Sequence, residues 1–271
     1  MNVDRSKGLP KAATVAALAY CLAALPALAQ NANLVTKTAN DLGVTVTGYK
    51  YDEPGFATWK ATKIGFEYSG TYAIGSEFPN RSEGWFLRGD VRYANGKTDY
   101  SSSISGNINN APDRYYEVRG LVGKDFYFSD YTLSPYVGLG YRYLYNDIRG
   151  VSTTGARGYR RESHYTSLPI GVIHKMNLAN QSQLVSTVEF SKLIRGEQEA
   201  KLSDALPATP DVSLKQRSGY GLRLGTMVRF DNWSVGPTLM FWRIKESDKA
   251  GFIFEPRNST YEFGVKGVYH F

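Results

Sequence analysis

The residues whose types could hydrolyse a bond stand together at Glu162-Ser163-His164. A serine activated by a histidine, with a carboxylate that orients the histidine, is the arrangement used for nucleophilic hydrolysis. These residues stand at the start of a predicted β-strand, where neighbouring side chains point to opposite faces of the sheet. Adjacency in the sequence therefore does not assemble the three groups, and we expect the protein not to be an enzyme.

Metal and cofactor chemistry has no candidate in this sequence. The chain has three histidines and a single cysteine, Cys21. It contains no zinc signature, no calcium-binding loop and no glycine-rich phosphate loop. We therefore expect neither a metal nor a cofactor.

Arginine could bind anions in the segment 146–163, which we interpret as an external loop. Guanidinium groups bind phosphate oxygens through paired hydrogen bonds, so this segment is a candidate contact for an external anion, the alternative being a solvated loop. The candidate contact residues are Arg149, Arg157, Arg160 and Arg161. The net charge is +7, but the bases are scattered along the chain rather than gathered in one stripe, so we expect no nucleic-acid partner.

The last eleven residues of the chain have the pattern of a β-strand, the element that we expect to carry the candidate residues above. Every second residue there is apolar, aromatic or glycine, and the positions between them are mostly polar. A period of two with aromatic ends is typical of a transmembrane β-strand. The alternating residues are Tyr261, Phe263, Val265, Gly267, Tyr269 and Phe271.

Nine further segments have a similar strand pattern, which predicts ten strands. The approximate ranges of all ten predicted strands are 44–51, 59–74, 85–93, 115–128, 133–145, 164–175, 184–194, 218–230, 233–245 and 261–271. The connections after odd-numbered strands are mostly long (52–58, 94–114, 146–163, 196–217 and 246–260), and the others are shorter (75–84, 129–132, 176–183 and 231–232). Long loops on one side and short turns on the other are typical of outer-membrane barrels. The predicted fold is all-β: a closed antiparallel transmembrane β-barrel of about ten strands, with long extracellular loops and short periplasmic turns.

The start of the chain predicts export. Three bases (Arg5, Lys7 and Lys11) precede an apolar stretch over 12–26, and Ala27-Leu28-Ala29 fits a cleavage site. We therefore divide the chain into a signal peptide, residues 1–29, and one barrel domain, residues 30–271.

Two segments resemble known barrels. The closing strand resembles the C-terminal strand of bacterial outer-membrane proteins, whose terminal Phe belongs to the signal read by the barrel-assembly machinery. The proline-started, glycine-punctuated segments 134–143 and 233–237 resemble strands of the OmpA/OmpX/Opa-like group. This resemblance implies a monomer in the bacterial outer membrane that contacts membrane lipid and lipopolysaccharide. It also implies handling by periplasmic chaperones and the assembly machinery.

If the aromatic rows face lipid, the opposite rows face the lumen and carry eight bases and five acids. These are Lys63, Glu67, Arg88, Asp90, Arg92, Glu117, Arg119, Arg142, Glu189, Arg223, Arg229, Glu262 and Lys266. We expect a charge network among Arg88, Asp90, Arg92, Glu117, Arg119, Arg142, Arg223 and Glu262. A filled barrel of this kind favours a structural or surface-interaction role, with an extracellular ligand. The surplus of bases keeps a narrow anion-leaning channel as the alternative.

A rim hydrolase is the second alternative. Ten-stranded barrels include the omptin proteases, which place carboxylates and an Asp-His pair at the extracellular rim. Glu162, Ser163 and His164 resemble instead the residue types of the Ser-His-acid site of lipid A deacylases. This sequence departs from the omptin pattern, because Asp99, Asp113 and Asp147 stand singly.

Overall fold

The structure, a computed structural model, describes residues 34–74, 83–178 and 181–271. The predicted signal peptide lies outside these residues. The strands in chain order are β1 (Ala39–Glu53), β2 (Ala57–Ile74), β3 (Glu83–Ser102), β4 (Gly106–Tyr127), β5 (Tyr131–Val151), β6 (Arg157–Asn177), β7 (Gln183–Lys201), β8 (Val212–Gln216), β9 (Gly219–Phe230), β10 (Trp233–Ile244), β11 (Lys249–Ala250), β12 (Ile253–Phe254) and β13 (Asn258–His270). A 3₁₀ turn, Leu202–Asp204, follows β7. No helix in the described residues is long and apolar enough to span a membrane.

The strands close into an antiparallel barrel. β8 and β9 pair with successive parts of β7 and together count as one strand of the barrel wall. The order around the barrel, β1–β2–β3–β4–β5–β6–β7–β9–β10–β13, therefore has ten strand positions. The ring closes where β1 pairs with β13 from Asp41↔His270 to Asp52↔Ser259. Backbone hydrogen bonds of 2.8 Å run in both directions between Asn40 and Phe271. The predicted closed barrel of ten strands is confirmed.

Alternating side chains give the barrel an apolar outside and a polar inside. On β13, Phe263 and Val265 are 60% and 55% exposed, whereas Glu262 between Tyr261 and Phe263 is 2% exposed. Tyr93, Tyr116 and Tyr143 stack around the outer wall, with ring centroids 5.6 and 5.5 Å apart. Aromatic rings prefer the membrane–water interface, so this row marks the extracellular edge of the lipid-facing band.

The strands extend farther than predicted, because two segments interpreted as long loops are mostly strand. β3 continues to Ser102 and β4 begins at Gly106, so the connection predicted over 94–114 shortens to residues 103–105. The connection predicted over 146–163 shortens in the same way to residues 152–156. About 9–11 residues suffice to cross the membrane, so these hairpins continue well beyond it.

The extended hairpins hold their own apolar core inside the barrel, above the lipid-facing band. One cluster consists of Ala94, Tyr115, Leu144, Tyr165, Leu193 and Ile244, and a second consists of Ala57, Trp59, Ala111 and Ile148. Burial of these residues stabilises strand pairing where no lipid is present. Their outward neighbours are polar, which is why the sequence pattern resembled a loop.

Candidate functional site

Glu262 is one centre of the lumen charge network. Its carboxylate accepts hydrogen bonds from Arg142 Nη2 at 2.7 Å, Arg92 Nη2 at 3.4 Å and the Tyr115 hydroxyl at 2.7 Å. Glu262 is 2% exposed and both arginines are under 7% exposed. Charges removed from water must be paired, and here strands from different sides of the barrel supply the partners.

Glu189 on β7 is a second centre. It accepts Arg119 Nη1 at 2.8 Å and the Tyr136 hydroxyl at 2.8 Å. Arg119 Nη2 also donates to Asp90 at 2.5 Å, which links β4 to β3. Arg223 on β9 donates to Glu117 at 2.5 Å and so links the far wall to the same network.

The structure brings together all eight residues of the expected network. Arg88 completes the set, because its Nε donates to Asp90 at 2.7 Å and its Nη2 to Ser69 at 2.9 Å. A cavity of about 120 Å³ lies among these side chains. This space has room for a few waters, and ion-paired side chains occupy the middle of the lumen around it.

Several buried or half-buried acids inside the barrel were missing from the sequence assignment, and three of them lie in or below the lipid-facing band or next to Lys63. Asp113 binds the fully buried ammonium of Lys63, and Asp41 lies 2.7 Å from His270 Nδ1. Asp125 accepts the Ser134 hydroxyl at 2.6 Å. The sequence had assigned Asp113 to a loop. With these three acids, the inward acids Glu53 and Glu255 and the inward bases Arg161 and Lys175, the described residues of the lumen carry ten acids against ten bases. The expected basic surplus therefore disappears.

Arg161 is not an external residue as predicted, because it points into the barrel near the extracellular end. It donates to Glu53 at 2.5 Å and to Glu255, which also accepts the Tyr51 hydroxyl at 2.8 Å. Its guanidinium lies 4.7 Å from the Trp59 ring centroid. Burial raises the pKa of the Glu255 carboxyl to about 8; Arg161 opposes this shift and Glu53 adds to it.

The other three arginines of the candidate anion contact are outside the barrel but do not form one site. Arg149 is paired with Asp147 at 2.7 Å, and Arg160 with Asp204 at 2.7 Å. Arg157 is exposed at the start of β6. Because two of the three already bind carboxylates, an external anion would have to displace an internal partner.

The hydrolase residues are separated as the strand geometry predicts. Ser163 points inward and donates to Gln198, whereas His164 points outward and its Nδ1 lies 2.8 Å from the Tyr141 hydroxyl. Glu162 accepts the Tyr143 hydroxyl at 2.9 Å on the outer wall. Among the described residues, no group of three or more His, Cys, Asp or Glu is placed to hold a metal.

The alternating residues of the closing strand form one outward row along β13 and Phe271, the residue after it. Tyr261, Phe263, Val265 and Phe271 are each about half exposed or more. Phe271 stacks on Tyr269 with ring centroids 6.0 Å apart. This row is continuous with the lipid-facing surface, where an assembly signal would be accessible.

Comparison with known proteins gives one family and several solved structures. A family model described as outer membrane protein beta-barrel domain matches residues 15–172, more than half of the chain. The outer membrane protease OmpT from Escherichia coli is similar, with a TM-score of 0.57 and 10% identity over 89% of this chain and 99% of that one. Ail, the attachment invasion locus protein of Yersinia pestis, gives a TM-score of 0.31 and 6% identity over 87% of this chain and 100% of that one. No curated protein matches the chain.

Proposed function

Because the chain belongs to the outer membrane protein beta-barrel domain family, we propose that it is a closed, non-enzymatic barrel that presents extended hairpins for surface interaction. That it is an integral outer-membrane barrel follows from the family and the fold. The proposed non-enzymatic surface role rests on two features: the ion-paired side chains that fill the lumen, and the hairpins that extend beyond the lipid-facing band.

The observation that carries the proposal is that charged side chains meet across the lumen. Arg142 and Glu262 are joined at 2.7 Å although they belong to β5 and β13. Farther toward the extracellular end, Arg161 of β6 and Glu53 of β1 are joined at 2.5 Å. A conducting path would have to separate both pairs, and unpaired buried charges are costly.

The extended hairpins support the surface role. The β3–β4 hairpin rises ten residues beyond Tyr116, which is about 30 Å along the strands. Their internal apolar core makes these hairpins part of the folded barrel. Exposed apolar residues in three connections at the same end of the barrel, Ile104, Leu206 and Phe252, add contact surface for a partner.

The two alternatives have less support. The charge balance of the lumen removes the argument for an anion-leaning channel. A rim hydrolase would share its fold with the protease OmpT. At 10% sequence identity, however, this similarity is evidence for the fold alone and not for a shared activity. Ser163 and His164 lie on opposite sides of the wall, and Glu162 contacts a tyrosine instead of the histidine.

Planar-bilayer recording tests the closed lumen. We expect no steady current through the wild type. The Arg142→Ala/Glu262→Ala variant removes a cross-lumen pair and should admit intermittent current. The Arg195→Ala/Glu197→Ala variant removes an outer-wall pair and should stay silent. A steady anion-selective current through the wild type would contradict the proposal and favour the channel.

Cleavage assays test the absence of enzymatic activity. Wild type and His164→Ala are incubated with a peptide library and with lipid A, and products are analysed by mass spectrometry. We expect no product from either protein. Product formed by the wild type and lost in His164→Ala would establish a rim hydrolase instead.

A further inference from the structure

A cavity of about 570 Å³ lies inside the barrel at the end that carries the turns 128–130 and 231–232. This is the periplasmic end, and we call the space the periplasmic vestibule. Its wall includes the segment before β1, where the Thr36 amide and hydroxyl donate to Asp125 at 2.7 and 2.9 Å. Cavities of roughly 300–1,000 Å³ are typical of small-molecule sites.

The periplasmic vestibule is lined by more bases than acids among the described residues. The bases are Lys37, Arg88, Lys175, Arg229 and Lys266, and the acids are Asp41, Glu67 and Asp231. Arg88 and Lys266 are occupied by carboxylates. The remaining three have no ion pair within the described part of the chain. Lys175 donates to the Thr36 hydroxyl at 2.6 Å, and Arg229 to the carbonyl oxygen of Asp231 at 3.1 Å.

Lys175 and Arg229 line the same space as Arg88, although the three belong to β6, β9 and β3. The positive charges of Arg88 and Arg229 act on the ammonium of Lys175, and the carboxylates of Asp125 and Asp41 act on it in the opposite sense. Like charges gathered in a partly enclosed space repel one another, and a bound anion relieves that repulsion. The folded barrel therefore holds an electrostatic field suited to an anion.

One part of the vestibule wall is apolar, and the space ends blindly. Ile173, Val185 and Met227 line the same space as the bases. Beyond them the lumen is crossed by ion pairs such as Arg142 Nη2 to Glu262 Oε1 at 2.7 Å. A ligand that enters from the periplasm would stay at this end of the barrel, which indicates a binding site rather than a passage.

We propose that the periplasmic vestibule binds a single-chain amphiphilic anion. Its phosphate or carboxylate head contacts Lys175 and Arg229, and its hydrocarbon part lies against Ile173, Val185 and Met227. This site is independent of the surface role, because it opens at the opposite end of the barrel.

Calorimetric titration tests the site with a soluble probe. The mature chain is placed in nanodiscs of zwitterionic phosphatidylcholine and titrated with hexyl phosphate in phosphate-free buffer, with empty nanodiscs as the blank. Inorganic phosphate and hexanol are titrated separately to test the head and the hydrocarbon alone. We expect saturable one-to-one binding of hexyl phosphate and at least fivefold weaker binding of either fragment.

Charge-removing variants locate the site. Arg229→Gln and Lys175→Gln should each weaken hexyl phosphate binding at least fivefold. Lys97→Gln removes the same charge from the outer wall at the other end and should bind like the wild type. Heat-modifiable migration confirms that each variant folds. Should Lys175→Gln fail to fold, Arg229→Gln alone tests the site, because Arg229 donates only to a nearby carbonyl and its loss should not affect folding.

Three results would overturn the proposal. They are no saturable heat above the empty nanodiscs, unchanged affinity in folded Arg229→Gln, and equal affinity for inorganic phosphate or for hexanol. The last result would remove the amphiphilic character of the ligand, and the first two would remove the site.

Discussion

Arg142 and Glu262 hydrogen-bond at 2.7 Å from diametrically opposite strands of the barrel. β5 and β13 are five places apart in either direction around the ring. These two side chains therefore span the whole lumen at this level. The same hydrogen bond connects β5, near the middle of the sequence, to β13, the last strand. The contact acts as a brace across the barrel as well as an obstruction to flow.

A double-mutant cycle measures this brace. Glu262→Gln leaves the buried Arg142 without its carboxylate, while Arg92 keeps Glu67, and should lower the free energy of unfolding by about 3 kcal/mol or more. Arg142→Gln should cost less, because Arg92 still neutralises Glu262. The coupling free energy of the two changes should be about 1–3 kcal/mol, as for other residues in contact. Urea unfolding in liposomes supplies the four free energies.

The exposed pair Arg195 and Glu197 is the matched control for that cycle. Its atoms are 3.2 Å apart, but the Arg195 side chain is 73% exposed. Solvent screening reduces such pairs to about 0–1 kcal/mol. Equal coupling in the two cycles would mean that the lumen is as wet as the outer surface, which contradicts a filled barrel.

The lipid-facing assignment is tested at Leu139, which is 60% exposed on the outer wall of β5. Leu139→Arg places a charge in hydrocarbon and should cost about 2–4 kcal/mol near the midplane. Val151→Arg, at the 68% exposed end of the same strand beyond the membrane, should change stability by less than about 0.5 kcal/mol. Urea unfolding in liposomes compares the two. Similar costs would place Leu139 outside the hydrocarbon.

The sequence predicted which side chains point outward and which point into the lumen, because the need for an apolar side chain toward lipid recurs at every second residue of a strand. Each outward position between Tyr261 and Phe271 meets lipid, so a change of register by one residue would bury a charge such as Glu262 in the membrane. Closure into ten strands follows from the same repetition. The alternation and the number of strands depend on residues close together in the sequence, and both can therefore be predicted from the sequence alone.

The sequence did not predict which residues meet in the extracellular half of the barrel. Outward positions there are polar, so alternation between apolar and polar residues disappears and the strands resemble loops. Arg161 was accordingly assigned to an external surface, and Asp113 to a loop. Their partners Glu53 and Lys63 lie 108 and 50 residues away and depend on ring closure. The signal that could have found them is the row of small inward residues such as Ala94 and Ala111.

The assembly hypothesis is tested at Phe271, which is 60% exposed and held to Asn40 by two backbone hydrogen bonds. Deleting Phe271 should lower the folded fraction in bacterial membranes several-fold, because the terminal aromatic is the proposed recognition element. Phe128→Ala removes another exposed aromatic at the periplasmic end and should have little effect. Heat-modifiable migration measures the folded fraction. Unchanged folding after the deletion would refute the hypothesis.

The buried carboxyl of Glu255 predicts a pH dependence of stability. Its pKa is raised from 4.5 to about 8, chiefly by burial, in a connection outside the membrane-spanning strands. Between these values the folded protein keeps a proton that the unfolded chain has released. Stability from this group is therefore complete below pH 4.5, falls as pH rises toward 8, and is constant above it.

Urea unfolding of wild type and Glu255→Gln from pH 5 to 9 isolates this contribution. Glutamine keeps the hydrogen bonding of a protonated carboxyl, so the wild type should lose stability relative to the variant by up to about 1.4 kcal/mol per pH unit. Trp59 fluorescence should follow the same transition, because Arg161 lies against its ring. Glu246→Gln, an exposed carboxyl in the same connection, is the charge-matched control. If Glu255→Gln and Glu246→Gln show the same pH dependence, Arg161 binds two ionised carboxylates and Glu255 holds no proton at neutral pH.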